Sequence, residues 1–419
     1  MLPGIKKDSF IIRGMRNVSY LLAGQVVTQI IAFIGFIFIT RYLGPEKYGI
    51  YLTVYAFVSF FSLLTINQLN KVVMRDGSKD PKNMGKLFER TIGLKSFAAV
   101  VSIIACLVAL LFTPYPNTVR LYIIIYSFNL IFSSFNGYFL AIFQSVEKMQ
   151  YMSFLNVLNR FLYFSLSIVF LLLGFKVLTL VIITLACNFF TLFLNYKLGK
   201  KFIHYRMNMD LNWDLKIIKP TAVFSAILFL SYLTYRVDIL IISFLRSPES
   251  VGIYGTATRL VEPIALTSTF ATGLFPIVIK TFHTQKVKWR KLIKISLLLA
   301  VVMLIGAGIL SIFSKPIILT LFGEEYRHTI PIFSVLIFTV VVHLTSVIFN
   351  QSLSATNNEL ILLKISWIPP IINIALNITF LYYFGLIGVA YATLIVHIIY
   401  LLLLMFFSYF ILKKQGKIY

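Results

Sequence analysis

The sequence has few of the residues on which most soluble folds and active sites depend. Charged residues make up only 12% of its 419 positions, against about 25% in soluble domains. Its two cysteines, Cys106 and Cys187, both lie in apolar stretches, so we expect neither a disulfide framework nor a cysteine metal site. It has no glycine-rich phosphate loop and no Cys/His metal spacing. These absences exclude a water-soluble domain, and they give no support to an enzyme or to a bound cofactor.

Long apolar runs are what the sequence has instead. Hydrophobic residues make up 59% of the chain, and the mean hydropathy is +0.89. The runs are about 20 residues long and do not alternate with polar residues, which indicates membrane-spanning helices and not barrel strands. Windows of that length predict twelve spans, at about 18–40, 48–70, 93–113, 119–144, 151–174, 177–196, 220–245, 250–279, 293–314, 328–354, 360–383 and 386–411.

The net charge of +24 is distributed very unevenly between the connections. When the connections are assigned alternately to the two sides of the membrane, one side receives 28 Lys and Arg residues and the other seven. The positive-inside rule then predicts that both termini are cytoplasmic. The basic run 280–294 reads as a contact with anionic lipid, and we expect no nucleic-acid partner.

A nine-residue phrase occurs twice, from Pro45 to Thr53 and from Pro248 to Thr256. Six of the nine residues are identical, at an offset of 203 residues, and Gly174 and Gly385 give a second landmark at a similar offset. The chain therefore reads as a parallel repeat with six spans in each half. We predict an N-terminal lobe at 1–210 and a C-terminal lobe at 211–419, with a cavity between them.

Four ionisable residues lie inside the seventh and eighth spans, where charges are costly and usually face a partner or a cavity. They are Arg236, Asp238, Arg259 and Glu262. The similar depths of Asp238 and Arg259 favour a pair between these two. One interpretation is a neutral ion-pair lock. The other is that the arginines bind an anionic substrate while Asp238 or Glu262 binds a coupling H⁺ or Na⁺. Arg160, in the fifth span, either snorkels to the cytoplasmic interface or lines the cavity.

Uncharged polar residues form stripes at helical spacing on four spans. Such stripes serve either as hydrogen bonds between helices or as the wall of a wet cavity that binds sugar hydroxyls. The residues that we select as cavity candidates are Gln25, Gln29, Asn129, Asn136, Asn373 and Asn377.

Five stretches, in order along the chain, resemble the polysaccharide flippases of Wzx type. This family belongs to the multidrug/oligosaccharidyl-lipid/polysaccharide exporter (MOP) superfamily. The stretches are Arg41–Gly49, Gln144–Met149, Arg236–Asp238 together with Val251–Tyr254 and Arg259–Glu262, Leu321–Tyr326, and Gly385–Ala390.

The resemblance implies an all-α, MATE-like fold of twelve spans in two lobes around a central cavity. It also implies that the protein moves an undecaprenyl-diphosphate-linked oligosaccharide, such as an O-antigen or capsule unit, across the bacterial cytoplasmic membrane by alternating access. Arg236, Arg259 and Arg160 would then contact the diphosphate or acidic sugars. Membrane lipids, a polysaccharide polymerase and a chain-length regulator are the expected partners.

Two other functions remain open at this point. A cation-coupled multidrug exporter of the same superfamily has the same number of spans, and its activity would depend on Asp238 or Glu262. A membrane-embedded polymerase or ligase would need a substantial outer loop that carries catalytic residues. The longest outer connection, at about 314–330, is short for that purpose.

Overall fold

The computed structural model describes residues 4–80, 83–203, 215–265, 289–355 and 359–414. This part of the chain is helical, with no strand. The helices of its first half are α1 (Gly4–Phe61), α2 (Leu69–Lys79), α3 (Met84–Leu111), α4 (Asn117–Ser127), α5 (Asn129–Ser145), α6 (Met149–Leu172) and α7 (Val177–Phe202). The helices of its second half are α8 (Leu215–Leu245), α9 (Pro248–Ala265), α10 (Trp289–Ile312), α11 (Ser314–Phe322), α12 (Thr329–Ala355), α13 (Glu359–Ile365) and α14 (Ile368–Lys414).

Two of these helices each join the larger parts of two predicted spans at a glycine kink. Gly44 interrupts α1 with φ +71°, and Gly385 interrupts α14 with φ +66°. Left-handed backbone of this kind favours glycine, which has no Cβ. A Cβ on Gly44 would also lie 2.8 Å from Oε2 of Glu325, the flexible end of a side chain that can move aside. Gly174, the sequence counterpart of Gly385, also has a positive φ, of +88°.

Eight helical segments of the described chain are long and apolar enough to cross a membrane. Many of their large apolar side chains are exposed, such as Leu111 at 72% and Ile312 at 78%. Exposed apolar surface on this scale requires a lipid environment, so the protein is a multi-pass membrane protein. The predicted eighth span, 250–279, extends past Ala265 beyond the described residues, and the total of twelve stays a prediction.

The chain divides into two compact units, and the boundary does not follow the sequence order. The first unit comprises Met1–Leu43 and Val54–Leu228, and the second comprises Gly44–Thr53 and Phe229–Tyr419. The first copy of the repeated phrase, which starts at Pro45, therefore belongs to the same unit as the second copy.

Each unit has its own packed interior. In the first unit, α2, α3 and α5 bury a cluster around Val73, Phe88 and Tyr138. In the second unit, α12 packs against α9, α10 and α14, and its Phe349 is buried beside Leu404. The long central helix α12 thus provides the frame on which the other helices of this unit are positioned.

The position of Lys95 differs from the one assumed when the basic residues were assigned to the two sides of the membrane. The sequence places it with the cytoplasmic basic residues, but its side chain is fully buried in the first unit. Its Nζ donates to the carbonyl of Thr65 at 3.1 Å and to Oδ1 of Asn67 at 2.9 Å. Here the chain leaves the 3₁₀ turn Ser62–Thr65 through Ile66, at φ +46°. Lys95 therefore satisfies carbonyl and amide oxygens that the break in the helix leaves without helical partners.

Candidate functional site

Three of the four predicted ionisable residues form one cluster in the second unit. Arg236 on α8 donates through Nη1 to Oε1 of Glu262 on α9. Nη1 of Arg259, one turn before Glu262, lies 3.4 Å from Oε2 of the same carboxylate. The side chains are 28–31% exposed, so the cluster is accessible although it lies within predicted spans. Two guanidinium groups share one carboxylate, which leaves a formal charge of +1 on these three side chains.

Asp238 does not join this cluster, and its predicted pairing with Arg259 is wrong. Its side chain is buried, and Oδ2 accepts a hydrogen bond from the hydroxyl of Tyr254 at 2.8 Å. Oδ1 accepts one from the backbone N–H of Ile239, also at 2.8 Å. The predicted pair rested only on the similar depths of the two residues in their predicted spans. Residues 236 and 238 are two apart on a helix and point to different sides, so Arg236 faces Glu262 while Asp238 faces Tyr254.

Asn373 and Asn377 on α14 are fully buried and bonded to each other. Nδ2 of Asn377 donates to Oδ1 of Asn373 at 2.7 Å, and Nδ2 of Asn373 donates to the carbonyl of Thr234. Thr234 lies one turn before Asp238 on α8, so the amides and this carboxylate belong to one polar region. Oδ1 of Asn377 is buried without a hydrogen-bond partner in the described structure.

In the first unit, Asn129 and Asn136 form hydrogen bonds between helices. Nδ2 of Asn188 donates to Oδ1 of Asn129 at 2.7 Å, and Nδ2 of Asn195 donates to Oδ1 of Asn136 at 2.8 Å. Asn129 and Asn136 are seven residues apart on α5, and Asn188 and Asn195 are seven residues apart on α7. The two helices therefore pack in register along two turns. Nδ2 of Asn136 also donates to the carbonyl of Asn188 at 2.9 Å. The stripe on α5 thus serves helix packing in this conformation.

The remaining predicted residues lie elsewhere in the first unit. Gln25 and Gln29 are half-buried on α1, and Arg160 is exposed on α6. The structure brings together Arg236, Arg259 and Glu262 in the second unit, whereas Gln25, Gln29 and Arg160 belong to the first unit.

Tyr254 is the residue of this site that the sequence analysis did not select. Its hydroxyl lies 2.8 Å from Asp238 and 3.4 Å from the hydroxyl of Thr393 on α14. A signal was present, because Tyr254 belongs to the second copy of the repeated phrase. The repeat alone does not show that Tyr254 contacts Asp238, because that contact depends on how α8, α9 and α14 pack.

The described residues contain no group of three or more His, Cys, Asp or Glu side chains that would hold a metal ion. Outside the spans, Arg327 and Glu324 form an exposed pair, with Nη2 of Arg327 2.7 Å from Oε1 of Glu324. The hydrogen bond from Arg327 holds the pKa of the Glu324 carboxyl below its usual value. This second Arg–Glu pair can serve as a control for the cluster of Arg236, Arg259 and Glu262.

Comparison with known proteins gives a family and a fold. The family described as "polysaccharide biosynthesis protein" matches residues 15–282. Among solved structures, the lipid II flippase MurJ in an inward closed conformation superposes with a TM-score of 0.74 at 18% identity, covering 92% of this chain and 86% of that chain. A MOP-superfamily transporter from Pyrococcus furiosus superposes at 0.68 and 13% identity, covering 96% of each chain.

A multidrug resistance MATE transporter in an inward-facing conformation superposes at 0.71 and 14% identity, covering 93% of this chain and 96% of that chain. No curated protein sequence matches. These similarities confirm the MATE-like, all-α membrane fold and the polysaccharide branch that the five sequence stretches indicate. The chain belongs to the polysaccharide biosynthesis protein family and has the fold of the MOP-superfamily transporters.

Proposed function

We propose that this protein is a flippase that moves a lipid-linked oligosaccharide across the bacterial cytoplasmic membrane by alternating access. Its family supports a role in glycan synthesis, and the fold that it shares with a lipid II flippase supports transport of a lipid-linked precursor. The observation that carries the proposal is the cluster of two arginines around a single carboxylate, on helices that the sequence predicts to be the seventh and eighth spans. An O-antigen or capsule repeat unit on undecaprenyl diphosphate is the substrate that we propose.

In this proposal Arg236 and Arg259 bind the diphosphate. Guanidinium groups form forked, charge-assisted hydrogen bonds with phosphate oxygens and remain charged in a partly dehydrated site. Glu262 occupies these donors when no substrate is present and offsets one of the two positive charges, which leaves the cluster at a formal charge of +1. The diphosphate competes with Glu262 for the same N–H groups, which keeps binding reversible, as transport requires.

The polar amide residues are proposed to contact the glycan. Gln25 and Gln29 are half-buried on α1, whereas the amides of Asn129, Asn136, Asn373 and Asn377 are engaged between helices in this conformation. In our proposal the latter four exchange these bonds for sugar hydroxyls in other conformations of the cycle. Arg160, exposed on α6, is proposed to contact an acidic sugar or the lipid headgroup.

Asp238 is proposed to couple transport to H⁺ or Na⁺. With Asp238 ionised, the formal charge of Arg236, Arg259, Glu262 and Asp238 is zero. A proton or sodium ion on Asp238 raises this sum to +1, which favours an anionic diphosphate nearby. Because such coupling is reciprocal, bound substrate also favours the bound cation. Oδ1 of Asn377 has no hydrogen-bond partner in the described structure and belongs to the same polar region. It is an amide oxygen, a type of ligand that suits a hard cation such as Na⁺. Glu262, engaged by two arginines, is the second candidate.

We place the protein in the cytoplasmic membrane with both termini in the cytoplasm, a polysaccharide polymerase and a chain-length regulator being its expected partners there. The role is transport and not catalysis. A cation-coupled multidrug exporter is the second candidate function, because MATE transporters share the fold. That function predicts dye efflux that is lost when the gene is deleted and that depends on Asp238 or Glu262.

A deletion strain tests the proposal. We expect an undecaprenyl-diphosphate oligosaccharide to accumulate and the surface polymer to disappear, and the intact gene to reverse both effects. Complementation with Arg259→Ala should fail, while Arg327→Ala, which removes the exposed arginine of the outer Arg–Glu pair, should succeed. Unchanged lipid intermediate together with lost dye efflux would support the multidrug exporter and overturn the flippase.

A further inference from the structure

A polar cavity of about 220 Å³ lies inside the second unit, apart from the charged cluster. It is bounded by α8, α12, α14 and the turn between α13 and α14. Its volume exceeds by far the roughly 15 Å³ that one water needs, and it lies below the roughly 300 Å³ at which pockets for drug-sized ligands begin. The polar residues that line it are Thr234, His343, Ser346, Asn350, Ser366 and Tyr400.

The lining carries no Asp, Glu, Lys or Arg. Two hydroxyl groups have their single proton committed to the backbone: Ser346 donates to the carbonyl of Val342 and Ser366 to that of Leu362, both at 2.8 Å. A hydroxyl bonded in this way still has lone pairs to accept a hydrogen bond. These two hydroxyls therefore offer neutral acceptors, which suit the O–H groups of a neutral ligand, and Nδ2 of Asn350 adds a donor to the same lining.

One wall of the cavity is both aromatic and fixed in position. Nδ2 of Asn350 on α12 lies 3.3 Å from the hydroxyl of Tyr400 on α14, which joins the two helices across the cavity. Val347 and Pro369 complete the lining with apolar surface. A sugar ring has an apolar face of C–H groups and an edge of hydroxyls, so it matches a wall of this mixed character.

We propose that this cavity binds one sugar residue of the transported glycan, and not its diphosphate. The inference rests on the proposed function. Thr234, which lines the cavity, lies two residues before Arg236 on α8, so the cavity and the charged cluster belong to one helix but to different sides of it. A single ligand with a charged diphosphate and a neutral glycan presents the two chemistries that these two sites accept.

Binding of two probe lipids to the purified full-length protein in nanodiscs tests this assignment. One probe is the lipid-linked oligosaccharide extracted from the deletion strain, and the other is undecaprenyl diphosphate without a glycan. We expect Ser346→Leu, which places an apolar side chain in the cavity, to weaken binding of the oligosaccharide lipid about tenfold, the effect of one lost contact of about 1.4 kcal/mol. Binding of undecaprenyl diphosphate should not change.

Thr379→Leu is the matched control. Thr379 also donates to a carbonyl of its own helix, at 2.9 Å, but it is exposed on α14 outside the cavity. If Ser346→Leu does not fold, Asn350→Ala takes its place, with the same expected result.

Four outcomes would overturn the proposal. Equal affinities of the cavity variant and the wild type for both lipids would show that no sugar enters the cavity. If Ser346→Leu removed a dependence of binding on Na⁺ concentration but left oligosaccharide binding intact, the cavity would be assigned to a cation. Wild-type protein that binds undecaprenyl diphosphate but gains nothing from the glycan would remove this site and leave the diphosphate site standing. A wild type that binds neither lipid would overturn the proposed function as well.

Discussion

Gly49 and Gly252, equivalent residues of the two copies of the repeated phrase, meet at a close crossing of two helices. A Cβ on Gly49 would lie 1.7 Å from the carbonyl oxygen of Pro248, and one on Gly252 would lie 1.9 Å from that of Pro45. Each copy therefore supplies the glycine that the backbone of the other copy needs. Small residues of this kind let membrane helices approach closely. The two copies of the repeated phrase therefore contact each other and form one helix crossing.

This contact predicts that alanine is not tolerated at either glycine. We expect Gly49→Ala and Gly252→Ala each to destabilise the protein by about 1–3 kcal/mol, the usual effect of overpacking. The neighbouring atoms are backbone, which has little freedom to yield. The effect is measured by heating the detergent-purified protein to a series of temperatures and determining by size-exclusion chromatography how much folded protein remains at each one.

Gly306→Ala is the control for these variants. Gly306 lies in α10, and a Cβ there would meet nothing within 4 Å. Alanine should be neutral or stabilising there, by up to about 1 kcal/mol from helix propensity. Equal unfolding temperatures for all three variants would contradict the assigned contact.

A second prediction concerns Lys95. Lys95→Met keeps most of the side-chain volume but removes the donor to Thr65 and Asn67, so we expect a loss of about 1–3 kcal/mol from buried unsatisfied acceptors. The exposed Lys86→Met on the same helix should have little effect. The folded fraction that survives heating in detergent reports both values. If the two methionine variants unfold alike, the buried amine does not stabilise the break after Thr65.

Glu262→Gln should strengthen binding of undecaprenyl diphosphate. The substitution removes the carboxylate that Arg236 and Arg259 share and raises the formal charge of the cluster by one, so we expect an affinity gain of about tenfold. Export should slow, because the tighter complex releases its ligand less readily. Weaker binding in the variant would mean that Glu262 itself contacts the substrate or is needed to position the arginines.

Asp238→Asn should remove the dependence of binding on cations. If Asp238 couples transport as proposed, a lower pH or added Na⁺ should neutralise its carboxylate in the wild type, raise the formal charge near Arg236 and strengthen binding of the diphosphate. The neutral asparagine should bind as the protonated aspartate does, with the same affinity at every pH and Na⁺ concentration tested. Asp76→Asn, outside the spans and paired with Arg75 at 2.8 Å, should keep the wild-type response. A wild type without any such response would exclude coupling at Asp238.

The sequence selected the ionisable residues of this site but did not predict which side of its helix each one faces. It placed Arg236, Asp238, Arg259 and Glu262 in two predicted spans, and three of them meet. It paired Asp238 with Arg259, however, because depth follows from residue counts, whereas the facing side depends on how α8 and α9 pack. Lys95 was missed for a related reason. A lysine at the start of an apolar run reads as an interfacial charge until the break at Ile66 supplies buried acceptors for it.

Flipping by purified protein in liposomes tests the central claim most directly. The extracted lipid-linked oligosaccharide would be incorporated with wild-type protein or Arg259→Ala, and its transfer between leaflets would be followed by the accessibility of its sugars to an impermeant oxidant. The account predicts rapid transfer with the wild type, none above protein-free liposomes with Arg259→Ala, and wild-type rates with Arg327→Ala. Equal rates with wild type and protein-free liposomes, at verified incorporation, would contradict it.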